Sequence, residues 1–200
     1  MPALILFIKN PIPGKTKTRL AADVGDAMAL KMYHRLTEWT RSQAEGLQDV
    51  RRYLWYSSFI NHEDAWPAEV FEKHLQRGEG LGERMEAAFH HAFSAGHERV
   101  IIIGSDCPGI TTEYLEVAFT ALEENDVVIG PALDGGYTLL GMRALHLSLL
   151  RDMAWSTEAV LPETLRRAGA AGLSVQQLSP LSDVDYLEDW LSYGWALPEG

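Results

Sequence analysis

The sequence predicts an α/β fold with a largely parallel sheet, and three observations carry that prediction. Short continuous apolar runs, Ala3–Ile8, Val100–Ile103 and Asp126–Gly130, read as strands buried on both faces. Segments with helical apolar spacing separate them. Glycine and proline cluster directly after the runs, where chain direction must change. Strands that alternate with helices in this way give parallel pairing through crossover connections.

The elements follow in order. Ala3–Ile8 is the first strand, and Pro11, Pro13 and Gly14 shape a loop after it. A helix is expected over about Asp26–Ala44, where Ala29, Leu30, Tyr33, Leu36 and Thr40 fall near helical spacing. Val50–Ser57 is an aromatic-rich second strand. Asn61–Gly80 is polar, broken by Trp66-Pro67, and reads as an irregular active-site loop. Leu81–Ala95 is helical, with Met85, Ala88, Phe89 and Ala92 on one face and Gly96 as its stop. After Val100–Ile103, Thr111 or Thr112 caps a helix to about Leu122. Asp126–Gly130 and Tyr137–Leu140 are further strands. Ser156 is expected to cap a helix ending near Ala168 at Gly169, and Leu173–Leu178 is a last strand. Asp185 with Glu188 fits a capping box for a final helix to about Tyr193. The whole of 1–200 is expected to form one domain, with no repeat and no low-complexity segment.

The chain has 200 residues, 17 of them basic and 28 acidic, for a net charge of −11. Residues 1–22 hold Lys9, Lys15, Lys17 and Arg19 and no acid, leaving a net −15 elsewhere. An acidic chain lacks the broad basic face of a nucleic-acid binder, whereas a local cationic loop suits a small polyanion such as phosphate. A single cysteine, Cys107, excludes an intrachain disulfide, and the cytoplasm is the expected compartment. The six-residue apolar run at the start is too short for a signal peptide, and no stretch reaches the ~20 apolar residues of a membrane span.

In open α/β sheets, ligands bind beyond the carboxyl ends of the strands. Three strand ends carry chemistry: the cationic loop, Gly104-Ser105-Asp106-Cys107-Pro108, and Pro131-Ala132-Leu133-Asp134-Gly135-Gly136-Tyr137. Two carboxylates and several cations suit a complex of a hard cation with phosphate. Each feature also has a plain structural reading. The loop could be a solvated turn, Asp106 a helix cap, and Asp134-Gly135-Gly136 a hairpin turn. Cys107 is expected to pack rather than react. Gly14-Lys15-Thr16 resembles the end of a P-loop, but Lys9 stands where that motif needs a glycine. His90 and His91 point to different sides of their helix, and His34, His62, His74, His97 and His146 are scattered, so no zinc site is expected.

Taken together, these residues resemble a bacterial GT-A-type family labelled rSAM/selenodomain-associated transferase 1. It lies in the nucleotide-diphospho-sugar transferase superfamily. The resemblance is carried by Lys9-x-Pro11-x-Pro13-Gly14-x-x-Lys17-Thr18-Arg19-Leu20, Gly78–Met85, Gly104–Pro108, Gly130-Pro131-x-x-Asp134-Gly135-Gly136-Tyr137, Trp155-Ser156-Thr157 and Leu181–Asp185. It implies a single three-layer α/β/α domain with a mixed, mostly parallel sheet. The implied activity is metal-dependent transfer from a nucleotide-sugar to a small-molecule acceptor. The same motif order resembles nucleotidyltransferases such as 2-phospholactate guanylyltransferase and those of molybdenum-cofactor synthesis; a fold retained for nucleotide binding alone is a further reading. By resemblance, Asp106 and Asp134 are catalytic and bind Mg²⁺ or Mn²⁺. Lys9, Gly14, Lys17, Arg19, Gly135 and Gly136 meet the nucleotide phosphates, Lys17 and Arg19 more than Lys15. Arg84, Trp155, Ser156 and Thr157 face the acceptor. One position departs from the family pattern: Gly80 stands where an acid precedes Leu81-Gly82-Glu83-Arg84-Met85, with Glu79 beside it.

Overall fold

The computed structural model describes residues 1–199; Gly200, the last residue of the expected domain, lies outside the described residues. Seven strands form one sheet: β1 (Ala3–Ile8), β2 (Arg51–Tyr56), β3 (Glu72–Leu75), β4 (Val100–Ile103), β5 (Val127–Pro131), β6 (Tyr137–Met142) and β7 (Val175–Gln177). Their order is β3-β2-β1-β4-β6-β5-β7, and only β6 runs antiparallel to its neighbours. The helices are α1 (Thr18–Val24), α2 (Asp26–Gly46), α3 (Leu81–Ser94), α4 (Thr112–Glu124), α5 (Val160–Ala170) and α6 (Leu187–Ser192).

The strand alternation explains the three layers. In β1, Leu4, Leu6 and Ile8 point to one face and pack with Ala44 of α2 and Leu115, Ala118, Phe119 and Leu122 of α4. Ala3 and Ile5 point to the other face and meet Met85, Ala88, Phe89 and Ala92 of α3 and Ala168 of α5. A strand covered on both sides must be apolar at every position, and all of these residues are buried. A third cluster lies outside the sheet, where Leu20, Ala29, Met32 and Leu36 enclose Val184 and Trp190. That cluster holds the C-terminal segment against α1 and α2.

Four expectations differ from the structure. The segment Asn61–Gly80 is not wholly irregular, because Glu72–Leu75 adds β3 at the sheet edge beside β2. An edge strand that is only half-buried needs no apolar run. Residues 18–24, read as part of the loop, form α1. Ser156 does not cap α5: it has a positive φ of 63°, the helix starts four residues later, and Gly169 lies within it. Asp185 does not cap α6 either. Asp189 accepts from the backbone N–H groups of Asp185 and Tyr186, and the Asp185 carboxylate is turned elsewhere.

Candidate active site at the β1–β4 crevice

β1 pairs with β2 on one side and β4 on the other, so the chain departs in opposite directions from these two neighbours. This switch point opens a crevice at the carboxyl ends of β1 and β4. The loop 9–17 follows β1, and Gly104–Pro108 follows β4. Because β6 is antiparallel, its start at Tyr137 lies at the same edge as Ile103 and Pro131. The Asp134-Gly135-Gly136 turn therefore borders the same crevice.

Buried polar side chains shape the loop after β1. The Asn10 carboxamide accepts from the Ser58 N–H at 2.9 Å and donates to the Phe59 carbonyl at 2.9 Å, joining the exits of β1 and β2. Thr16 donates to the Asn10 carbonyl at 3.0 Å and accepts from the Ile12 N–H at 3.1 Å. Tyr33 of α2 accepts from the Lys9 N–H and donates to the Lys9 carbonyl, both at 2.9 Å, and lies 3.2 Å from the Ser105 hydroxyl. Burial pushes the Tyr33 phenol up to about 12, so it stays a neutral strut between the two strand ends.

Lys17 is the centre of the site. It adopts the left-handed conformation, φ 52° and ψ 49°, which a non-glycine residue adopts at a cost. Its ammonium group is buried and donates to Asp106 Oδ2 at 2.9 Å and to Asp185 Oδ1 at 3.2 Å. Burial alone would lower the Lys17 pKa; Asp106 and Asp185 outweigh it and the net shift is upward. For Asp106, desolvation pushes up, but Lys17, aided by Lys9, pulls its carboxyl below the usual range. Arg19, exposed at the start of α1, donates to Asp185 Oδ2 at 2.9 Å.

Asp183 is the contrasting group. It lines the crevice, and burial together with the charges of Asp106, Asp185 and Asp134 pushes its carboxyl up to about 8. The site is short of positive charge at this point. Asp183 and Asp185 arrive through the segment after β7, where Leu181 bonds Pro131 and Leu133, and the Val184 N–H donates to the Asp106 carbonyl at 2.9 Å. Val184 faces the third cluster, so the residues flanking it turn toward the site. Sequence reading took Asp185 for a helix cap and gave neither acid a place in the site; two aspartates at period-two spacing after the last strand are the signal that could have found them.

A cavity of about 340 Å³ opens here and is lined by Lys9, Tyr33, Arg84, Asp106, Tyr137 and Asp183, among others. The structure thus brings together Lys9, Lys17, Arg19, Arg84 and Asp106. Gly14 sits at the exposed loop tip with φ 71°. Asp134 is exposed at the rim, accepting from the Gly136 N–H at 3.1 Å, and its charge reaches Asp183. Gly135 does not offer its open side to a ligand. A Cβ there would come within 2.6 Å of Glu158 Cα, and its φ is 91°, so the glycine permits loop packing. Ser156 and Thr157 are exposed and line neither this cavity nor the larger one described below. Trp155 packs edge-on against Tyr137 at 6.1 Å but lines the larger cavity. Glu79, beside Gly80, is exposed and lines neither cavity. Asp106 does not cap α4, since Thr111 does. Cys107 is buried, donates to the Ser182 carbonyl at 3.3 Å, and is pushed up to about 12 by burial, which leaves it inert.

The second cavity, about 1210 Å³, lies across the segment 75–85 from the first. Residues 76, 81, 84 and 85 face one cavity and 75, 77, 78, 80, 82 and 83 the other. His74 and His91 line the larger one. The expectation of scattered histidines fails here, because β3 lies against α3 and brings these two rings to 4.5 Å between centroids.

The fold is of the nucleotide-diphospho-sugar transferase-like α/β class. The chain belongs to the bacterial family described as "Uncharacterized protein conserved in bacteria (DUF2064)", whose profile matches residues 40–157. A structure from Desulfovibrio desulfuricans G20, described as that of a candidate nucleotide-diphospho-sugar transferase, is 33% identical over 92% of this chain and 82% of its own, with a TM-score of 0.84. The inositol-1-phosphate CTP transferase of T. maritima is 15% identical over 94% of this chain and 90% of its own, with a TM-score of 0.58. CMP:2-keto-3-deoxy-manno-octonic acid synthetase, solved in complex with CTP, is 12% identical over 96% and 97%, with a TM-score of 0.55. The last two likenesses concern the fold. No protein of curated function matches the sequence. No helix among the described residues is long and apolar enough to cross a membrane.

Proposed function

We propose that residues 1–200 act as one nucleotide-binding transferase domain whose reaction takes place at the phosphates of a bound nucleotide. The observation that carries this reading is Lys17, held between Asp106 and Asp185 at the switch point of the sheet. A buried cation beside carboxylates from two strand-end segments suits a metal–phosphate ligand. The names of the neighbouring structures, a candidate nucleotide-diphospho-sugar transferase and a CTP transferase, support the same class.

Between the two chemistries open to this class, the cation count favours nucleotidyl transfer. With a divalent cation on the carboxylates, Lys9, Lys17 and Arg19 would be free to meet a ligand, and together with that cation they match the charge of a triphosphate better than that of a sugar diphosphate. In this reading an acceptor oxygen attacks the α-phosphorus and pyrophosphate leaves. Negative charge grows on the phosphate oxygens, where Lys17 and Arg19 stabilise it. Asp183 lines the cavity, and a bound cation would draw its raised carboxyl back toward the ionised form, in which it takes the acceptor proton. Arg84, in the cavity wall, orients the acceptor.

The donor set fits Mg²⁺. Asp106 and Asp185 present carboxylate oxygens only, the raised Asp183 marks a deficit of positive charge, and Mg²⁺ asks few carboxylates of a protein because phosphates and water complete its shell. Asp106 and Asp185 would hold the ion, with exposed Asp134 outside that pair. Bound Mg²⁺ would neutralise phosphate oxygens. A cytoplasmic setting accords with the single, buried Cys107.

The test is calorimetric titration with the four nucleoside triphosphates and with nucleotide-sugars, with and without Mg²⁺, followed by product assay with candidate acceptors. Mg²⁺-dependent triphosphate binding and released pyrophosphate are expected. Released nucleoside diphosphate from a nucleotide-sugar would establish glycosyl transfer instead, which the relative from Desulfovibrio desulfuricans favours. Absence of binding by either ligand class would overturn the proposal.

A further inference from the structure

Outside the crevice, one group of described residues gathers three metal-ligating side chains within 4.8 Å of one another: Glu72, His74 and His91. We infer that these residues form a transition-metal site of the zinc class, separate from the nucleotide crevice and open to the larger cavity.

The backbone explains the convergence. Glu72 and His74 lie two apart on β3, so both side chains leave the strand on one face. His91 comes from α3, which packs on that face. Glu72 Oε1 lies 2.9 Å from His74 Nε2 and 3.8 Å from His91 Nε2. Ligands of a tetrahedral zinc ion sit about 2.0–2.1 Å from the metal and so about 3.4 Å from each other. The two distances bracket that value, and all three ligand atoms lie within 4.8 Å of one another.

The surroundings are those of an oriented ligand set. Arg51 binds Glu72 Oε2, which leaves Oε1 turned toward the imidazoles. The His74 ring is stacked on Trp55 at 4.7 Å, and Trp55 lines the same cavity. His97, also near, is already committed: its ring nitrogens lie 2.9 Å from the Tyr53 hydroxyl and 2.8 Å from the Met1 carbonyl. Two imidazoles and one carboxylate are the donor set that favours zinc-like ions over Mg²⁺. Three protein ligands leave a fourth position, and His74 and His91 both border the cavity of about 1210 Å³. Water or an oxygen-bearing small molecule can reach the ion from there.

The test uses the full chain, dialysed against a chelator and titrated with Zn²⁺ by calorimetry. One Zn²⁺ per chain is expected, with a dissociation constant in the micromolar range or below. His74→Gln and His91→Gln are each expected to weaken it by more than about 100-fold, since even groups behind a ligand change affinity 10–100-fold. Asp106→Asn should leave Zn²⁺ binding unchanged, which keeps this result independent of the nucleotide reading. Co²⁺ added to the unsubstituted protein gives a second readout, the intense visible absorption of four-coordinate cobalt. Zn²⁺ binding that survives both histidine substitutions, or that vanishes in Asp106→Asn, would overturn the inference. So would a pale six-coordinate cobalt spectrum.

Discussion

The two charged clusters on this sheet differ in nearly every chemical respect. The crevice between β1 and β4 is built of carboxylate oxygens around a buried ammonium. The cluster on β3 and α3 is built of two imidazoles and a carboxylate steadied by Arg51. The first draws on residues 17, 106 and 185, far apart in the chain, whereas the second draws on two neighbours in a strand and one helix residue. The difference teaches that the switch point, where several chain ends meet, can assemble hard-ion and phosphate chemistry, while an edge strand offers side chains of a single face to one helix. The segment 75–85 walls the two apart, so a substitution in one should be silent in the other.

The largest expected effect tests that silence directly. Asp106→Asn should weaken Mg²⁺-dependent nucleotide binding by about 100-fold, the scale of a lost metal–phosphate contact, while zinc binding at Glu72, His74 and His91 is unmoved. Calorimetry with each ligand on the same preparation measures both.

Next is the buried cation. Lys17→Met leaves Asp106, Asp183 and Asp185 facing one another. Breaking a buried pair costs about 3–5 kcal/mol, and the partial exposure of Asp106 and Asp185 reduces this to roughly 1–3 kcal/mol. Urea unfolding should show that loss without Mg²⁺ and recover part of it with Mg²⁺ present. No recovery would count against the fit of the ion.

The third effect depends on pH. The folded state retains the Asp183 proton up to about pH 8, while the unfolded chain releases it near the ordinary value of 3.8. The native state therefore binds more protons across that window, and this group's contribution to stability is lost as pH rises from about 4 to 8. Asp183→Asn should remove the slope. Its melting temperature should exceed that of the unsubstituted protein at pH 8.5 by at least roughly 2–4 °C, the displacement that each 1 kcal/mol produces in a chain of this size, and by little near pH 4. The smallest effect belongs to Asp185→Asn measured through Arg19. That pair is exposed on both sides, and about 0.5 kcal/mol, diminishing with salt, is expected in a double-mutant cycle with Arg19→Ala.

The contrast between the clusters also accounts for what the sequence made legible. β1, β4 and β5 are buried on both faces, so composition alone marks them, and position after a strand led to Lys17, Arg19 and Asp106. β3 carries Glu-Lys-His-Leu, and nothing in that tetrapeptide announces a strand, because its pairing is supplied by β2. His74 and His91 looked unrelated for the same reason: helix packing against an edge brings them together. Asp185 looked like a helix cap because Asp followed by Glu three residues on fits that pattern. Its actual partners, Lys17 and Arg19, are 168 and 166 positions away, a separation no local rule spans.

One backbone bond, from the Val184 N–H to the Asp106 carbonyl, joins the tail to the crevice. All seven strands precede it in the chain. On a ribosome the sheet can therefore be complete while the crevice still lacks two of its four aspartates. Competence would arrive only once residues 183–185 have been made, and a chain cut short after Leu181 would hold all seven strands without the acid pair.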